Sequence, residues 1–217
     1  ICAWGTIKPI LREFCKKTDR NFDDFLIHDG KKMHVKMNDD IKFDIGLHGM
    51  CTYNKLALIK DFIKDSKVIY GEAPKLEELE KEYDLIVDCT GFGRAYLPKM
   101  EEDFFLPTYE YKVEYENGVP YDDFYIEPFP GMSGYFWYFP LGEKWAHIGA
   151  GDYNKQHIKA TDAFLKKHGG KVLQTKGRPI RLATPNKCKP FYKGKVVGVG
   201  ESIGTVYALL GEGIIPS

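Results

Sequence analysis

The sequence predicts a mixed α/β (α+β) chain in which two α/β pieces flank an antiparallel sheet. Three observations predict it. Tyr83–Asp88 is a short apolar run that leads into Cys89-Thr90-Gly91-Phe92-Gly93, the pattern of a buried parallel strand ending at a ligand crevice. Val196-Val197-Gly198-Val199-Gly200 repeats that pattern and ends at Glu201. Between them, residues 104–151 are rich in aromatic and β-branched residues and broken by Asn117-Gly118 and Pro130-Gly131, which reads as several antiparallel strands.

The remaining elements follow in chain order. Pro9–Lys17 has helical spacing, with proline suited to the first turn. Phe22–His28 and Lys31–Met37 flank Asp29-Gly30, so a hairpin with a type I′ turn is expected. Ile41, Phe43 and Ile45 alternate as in a strand. Thr52 is placed to cap a helix running to about Ile63, whose apolar face is Leu56, Ile59, Phe62 and Ile63. Lys67–Tyr70 reads as a short strand, and Leu76–Glu82 as a charged helical turn or a loop. Ile158–His168 reads as a helix stopped by Gly169-Gly170, and Val172–Leu182 as extended chain.

Composition excludes several classes. The 217 residues are 43% hydrophobic and 29% charged, with 31 basic and 31 acidic side chains. That supports a folded core and gives no basic excess for a nucleic-acid partner. No apolar run approaches the ~20 residues of a spanning helix. The five cysteines (Cys2, Cys15, Cys51, Cys89, Cys188) are scattered and form no C-x-x-C pair. This argues against a disulfide scaffold and a zinc module, and fits a reducing cytoplasm. No metal site is expected, and the singly placed His34, His48 and His147 read as surface or satisfied core residues. No G-x-S-x-G, H-E-x-x-H or P-loop occurs. The chain opens at Ile1 and stops just after the glycine-rich run Gly211–Pro216, so it is expected to be an internal piece of a longer protein.

The last segment carries the most chemistry. An apolar strand delivers Glu201, whose carboxylate can accept from ribose or ribityl hydroxyls. Gly211 and Gly213 would let backbone approach a flat ring. The alternative is a strand and two turns with Glu201 solvated. In the aromatic segment, Tyr135, Trp137 and Phe139 share parity. Such a stripe is either core or the wall of a long apolar cavity. Arg178, Arg181, Lys187 and Lys189 form a basic stretch that is either solvated surface or a seat for a lipid phosphate or an anionic membrane.

Three stretches resemble the geranylgeranyl reductase family of FAD-dependent oxidoreductases, within the group that includes p-hydroxybenzoate hydroxylase. Gly200-Glu201 followed by Gly211-Glu212-Gly213-Ile214 is similar to the family's second flavin motif, with Glu in place of Asp and Ala208 where a proline is usual. Asp84–Gly91 resembles its D-L-(V/I)-V-(D/A)-A-T-G strand. Pro130–Gly142 resembles the P-x-x-Y-x-W-x-F-P-x-G signature of its substrate-binding sheet. The resemblance implies a Rossmann-like FAD-binding domain lacking its N-terminal β-α-β unit, because no G-x-G-x-x-G is present. It divides the chain into residues 1–103 and 152–217, parts of the FAD-binding domain, and residues 104–151, the substrate-binding sheet. It implies FAD as cofactor, held by Thr90, Gly91, Gly200, Glu201, Gly211, Gly213 and Ile214. Tyr135, Trp137, Phe139 and Pro140 would line the substrate side, and Cys2 would be a catalytic proton donor or guard the ring face, against an inert thiol as the alternative. The implied reaction is saturation of carbon–carbon double bonds in an isoprenoid lipid, in the cytoplasm or peripheral to a membrane, with an electron donor the sequence does not name. A flavin monooxygenase or dehydrogenase on another apolar substrate, or a fragment that holds no FAD, are the rival readings. The 217 residues by themselves are expected to bind FAD weakly or not at all and to be inactive.

Overall fold

The computed structural model describes residues 2–216. The chain divides into two compact units, one of residues 1–64 and 107–178 and the other of residues 65–106 and 179–217.

In the first unit, β1 (Gly5–Ile7) runs into α1 (Lys8–Lys16), with Pro9 in its first turn and Leu11 and Cys15 on its buried face. A 3-10 turn at Phe22–Phe25 leads to β2 (Leu26–Asp29), β3 (Lys32–Lys36), β4 (Lys42–Gly46), β5 (Met50–Tyr53) and α2 (Lys55–Phe62). In the second unit come α3 (Leu76–Glu82) and β6 (Ile86–Asp88). Then follow β7 (Phe105–Glu114), β8 (Phe124–Pro128), β9 (Gly134–Pro140), β10 (Trp145–Asp152), α4 (His157–His168) and β11 (Lys171–Arg181). The chain closes with β12 (Tyr192–Lys193) and β13 (Val196–Gly198).

The expected antiparallel sheet forms and is larger than residues 104–151. Its order is β11-β7-β10-β9-β8-β3-β4, and a small sheet β1-β5-β2 belongs to the same unit. β10 pairs antiparallel with β7 and β9, and β8 with β9, while β3 joins β8 in parallel. Residues 32–46, expected in the other domain, therefore complete this sheet, and α4 covers one of its faces. The reason is burial. Phe164 of α4 stacks on Phe136 with ring centroids 4.6 Å apart, and with Tyr125, Tyr138, Val113 and Ile148 forms one core that no single strand could close.

The expected hairpin at Asp29-Gly30 does not form. β2 pairs with β5, and β3 with β4 and β8. Gly30 does not take the left-handed backbone region that a type I′ turn demands. Its N–H goes to the Met50 carbonyl, and a Cβ there would stand 2.6 Å from the Phe124 ring. Asp123 accepts the N–H groups of Lys31 and Lys32 at 2.9 and 3.0 Å and draws the chain into the large sheet. Thr52 is not a cap: it lies in β5 and donates its hydroxyl to the Pro140 carbonyl at 2.6 Å, while Asn54 caps α2 through the Ala57 N–H. Lys67–Tyr70 forms no strand and is exposed. β4 has the expected alternation, but as an edge strand it stays exposed along its length.

In the second unit the two apolar runs pair as expected. β6 and β13 are parallel, Val196 opposite Ile86 and Gly198 opposite Asp88, with β12 on the far side of β13. Ile86, Val196 and Leu97 form its core, with Leu76 and Leu79 of α3 packed against it.

Candidate functional site

Each unit carries its own set of functional candidates. In the second unit they sit at the C-terminal ends of the parallel strands. β6 ends at Asp88, which is fully buried. Its carboxylate accepts from the Thr90 hydroxyl at 2.6 Å and from the N–H groups of Thr90 and Tyr96, both at 2.9 Å. Burial pushes the Asp88 pKa up, but these bonds outweigh it and hold the carboxyl below its ordinary range. Thr90 in turn accepts the Ala95 N–H at 2.8 Å. Thr90 and Gly91, both predicted to border a cofactor, thus open a tight turn in which Gly91 takes φ 63°.

β13 leads to Gly200, at φ 70°, and Glu201. Glu201 accepts the Arg181 backbone N–H at 2.8 Å through Oε1, so it is not the merely solvated residue of the alternative reading. Further on, Tyr207 and Glu212 form a bridge around Gly211, itself at φ 63°. The Glu212 carboxylate accepts the N–H groups of Ile214 and Ile215 at 2.8 and 2.9 Å. Gly213 lies between these residues, so this loop is ordered by its own glutamate.

Two arginines that the motifs did not single out as site residues hold this region. Arg181, 3% exposed, bonds Asp103 and the carbonyls of Gly91, Phe92 and Glu201. Burial opposes its charge, but Asp103 keeps its pKa raised. Arg94, also buried and in the left-handed region at φ 43°, donates to the carbonyls of Pro98, Ser202 and Pro190. The basic stretch is thereby divided. Arg181 is a structural tie, not solvated surface, and Lys187 pairs with Glu102 at 2.7 Å.

In the first unit the candidates lie on the large sheet's face away from α4. Tyr135, Trp137 and Phe139 project there from β9, since the intervening Phe136 and Tyr138 join the α4 core. Phe139 and Pro140 are packing residues: Phe139 meets Phe124 at 4.9 Å and lies over Gly5, and Pro140 is fully buried. Trp137 lies across Gly149, where a Cβ would come within 2.5 Å of the indole and of the Tyr109 carbonyl. Across Gly149 from Trp137 stands Glu110 of β7.

Glu110 and His147 are the functional candidates that periodicity did not reveal. Both are 3% exposed, and His147 Nδ1 is 3.9 Å from Glu110 Oε1. Burial pushes the Glu110 carboxyl up to about 7 and the His147 imidazole down to about 3. His147 is therefore neutral near neutral pH, while the Glu110 carboxyl titrates there. The segment carrying Cys2 crosses this cluster: the Cys2 N–H donates to Glu110 and the Ala3 carbonyl accepts from His147. Trp4 meets the His147 ring edge-on at 5.0 Å with Lys112 over its other side, and takes the left-handed region at φ 62°. The structure thus brings Cys2 and Trp137 to the same carboxyl. The sign available in the sequence was Glu110 itself, a charged residue inside an aromatic strand.

All five cysteines are free thiols. Among the described residues, no helix is long and apolar enough to cross a membrane.

No family model and no curated relative matches this chain. Solved structures do. A geranylgeranyl bacteriochlorophyll reductase-like protein from Thermoplasma acidophilum matches with a TM-score of 0.66 at 18% identity, over 100% of this chain and 64% of its own. A flavin-dependent halogenase from Xanthomonas campestris matches at 0.65 and 12%, over 95% and 58%. A probable FAD-dependent monooxygenase from Pseudomonas aeruginosa matches at 0.63 and 11%, over 99% and 72%. This chain therefore has the mixed α/β fold of FAD-binding oxidoreductases, over about two thirds of the length of such proteins.

Proposed function

We propose that the protein is an FAD-dependent reductase that saturates carbon–carbon double bonds of geranylgeranyl chains, in the synthesis of isoprenoid membrane lipids. The observation that carries this reading is the placement of the signature strand. β9 presents Tyr135 and Trp137 on the sheet face opposite α4, in a fold shared with flavin enzymes. An isoprenoid chain is uncharged, and an aromatic face suits it.

The residues of the second unit fit the ribityl and ring portion of FAD. Glu201 stands just beyond a parallel strand, the position at which α/β sheets hold ligands. Gly91, Gly200 and Gly211 all take positive φ, and a Cβ on Gly93 or Gly211 would meet nothing closer than 4.0 Å. That open ground lets a flat group approach the backbone. Thr90, Gly91, Gly200 and Glu201 would hold the ribityl side, and Gly211, Gly213 and Ile214 the ring edge. The bound group supplies hydride chemistry. The chain's own residues would position the substrate: half-buried Tyr135 offers apolar surface, backed by the buried Trp137. Cys2, whose N–H bonds the Glu110 carboxyl, would donate a proton or guard the ring face.

The test uses the full-length protein. Its visible spectrum should be that of a flavoprotein, and anaerobic incubation of the reduced enzyme with a geranylgeranyl lipid should yield a product heavier by two hydrogens per bond. Oxygen consumption coupled to substrate hydroxylation, with no anaerobic turnover, would overturn the reading in favour of a monooxygenase.

A further inference from the structure

The outer edge of the large sheet carries an unpaired strand. β4 is last in the strand order, and its residues are exposed along their whole length. The register with β3 decides which of its backbone groups are free. The Met37 N–H donates to the Ile41 carbonyl, and the Leu47 N–H to the Lys31 carbonyl. Positions 41, 43, 45 and 47 therefore turn their backbone groups toward β3, and Lys42, Asp44 and Gly46 turn theirs outward. A Cβ on Gly46 would meet nothing within 4 Å. The side chains alternate as well. Asp44 lies opposite His34, which lies opposite Tyr125 of the α4 core. Lys42 and Asp44 thus share the α4 face, and the exposed Ile41, Phe43 and Ile45 share the Trp137 face.

We propose that β4 pairs antiparallel with β4 of a second copy of this chain, about a two-fold axis at Phe43, so that the large sheet runs on through a dimer. The charges select this pairing. The outward backbone groups let even positions bond only even positions. With the axis at Phe43, Lys42 stands opposite Asp44 of the second copy, and Asp44 opposite its Lys42, the self-complementary contact that an isologous interface requires. Moving the axis to Lys42 sets lysine against lysine and Asp40 against Asp44. Moving it to Asp44 sets aspartate against aspartate. Like charges directly opposite destabilise a strand pair, and opposite charges stabilise it.

Both charges have reason to accept the contact. Within one chain Lys42 lies opposite Lys36, a like charge whose own acids are Asp39 and Glu127. Asp44 binds His34 through Oδ1 at 2.7 Å, and its Oδ2 lies 3.8 Å from the Lys32 ammonium, which leaves room for a closer cation. On the Trp137 face Ile41 meets Ile45 of the second copy, and Phe43 meets its counterpart at a non-hydrogen-bonded position, where side chains approach most closely. Three exposed apolar side chains from each copy leave water together. This dimer does not depend on which reaction the protein carries out.

The experiment uses the full-length protein. Sedimentation velocity from low to high micromolar concentration should show a monomer–dimer equilibrium. Lys42→Asp sets aspartate opposite Asp44 at both symmetric positions and should weaken the dimer at least about tenfold. Adding Asp44→Lys restores opposite charges across the axis and should recover the dimer, with urea midpoints showing that each variant is folded. Independently of any charge variant, oxidised Phe43→Cys should give a covalent dimer in which peptide mapping finds the two position-43 thiols joined to each other. A wild type that stays monomeric throughout overturns the proposal, as does a dimer that Lys42→Asp leaves intact. A folded charge-swapped variant that stays monomeric, or position-43 thiols that do not join, overturns it equally.

Discussion

Replacing Glu110 by glutamine should change how the stability of the first unit depends on pH. The carboxyl is 3% exposed, and burial raises it from 4.5 to about 7. A group whose pKa is raised on folding stabilises fully below its unfolded pKa and loses that contribution as pH climbs through the folded value. For Glu110 the loss runs from about pH 4.5 to about 7 and amounts to about 3 kcal/mol, at 1.36 kcal/mol per unit. His147 runs the other way, because burial lowers it from 6.5 to about 3. Its contribution is present above its unfolded value and lost as pH falls toward 3, by about 5 kcal/mol. Between about pH 4.5 and 6.5 the two slopes oppose each other and the wild type should show a plateau. In Glu110→Gln the His147 slope stands alone. The variant should therefore gain about 3 kcal/mol on the wild type between roughly pH 4 and pH 8. Urea unfolding of both proteins across that range, with the m value held constant, measures it. A difference that does not vary with pH would mean that Glu110 ionises freely in the folded protein, and would refute the reasoning.

Gly149→Ala should cost about 1–3 kcal/mol or more, read as a lower urea midpoint, because the new Cβ would press on the indole and on a backbone carbonyl that cannot swing away. Arg181→Met leaves Asp103 and three carbonyls without their donor. A loss of about 3–5 kcal/mol is expected, with amide exchange accelerating first in residues 86–97 and 198–204. Uniform exchange across both units would contradict that account. Thr52→Val removes a buried bond to the Pro140 carbonyl and should destabilise by about 1–3 kcal/mol in thermal or urea melts. In the full-length protein, Glu201→Ala should weaken FAD retention by on the order of 1.5–3 kcal/mol, seen by flavin fluorescence on dilution; unchanged affinity would remove Glu201 from the cofactor's reach.

The sequence by itself determined the elements whose signals are local. Pro9 starts α1 and Gly169 ends α4, because helix termini are set by the chemistry of one or two residues. The runs at Ile86 and Val196 declared a parallel pair because both of their faces are apolar, and the structure buries only one of those faces, leaving Val87 and Val197 exposed. The parity of Tyr135, Trp137 and Phe139 fixed their common face, since side-chain alternation is a property of any strand. Partner choice was decided only in three dimensions. Asp29-Gly30 offers a hairpin turn, yet Asp123, some 90 positions away, takes the N–H groups that follow and sends β3 to another sheet. Thr52 has the chemistry of a cap, but a carbonyl 88 residues distant claims its hydroxyl. The domain boundaries moved for the same reason, since β3, β4 and α4 are held by a core assembled from distant strands. Glu110 and His147 show the limit most plainly. In the sequence Glu110 is one of several polar residues of an aromatic strand, and His147 stands singly in its own. Only the register of β7 against β10 and the open back of Gly149 bring them together under Trp137, and only burial, a property of the assembled sheet, gives them their perturbed protonation.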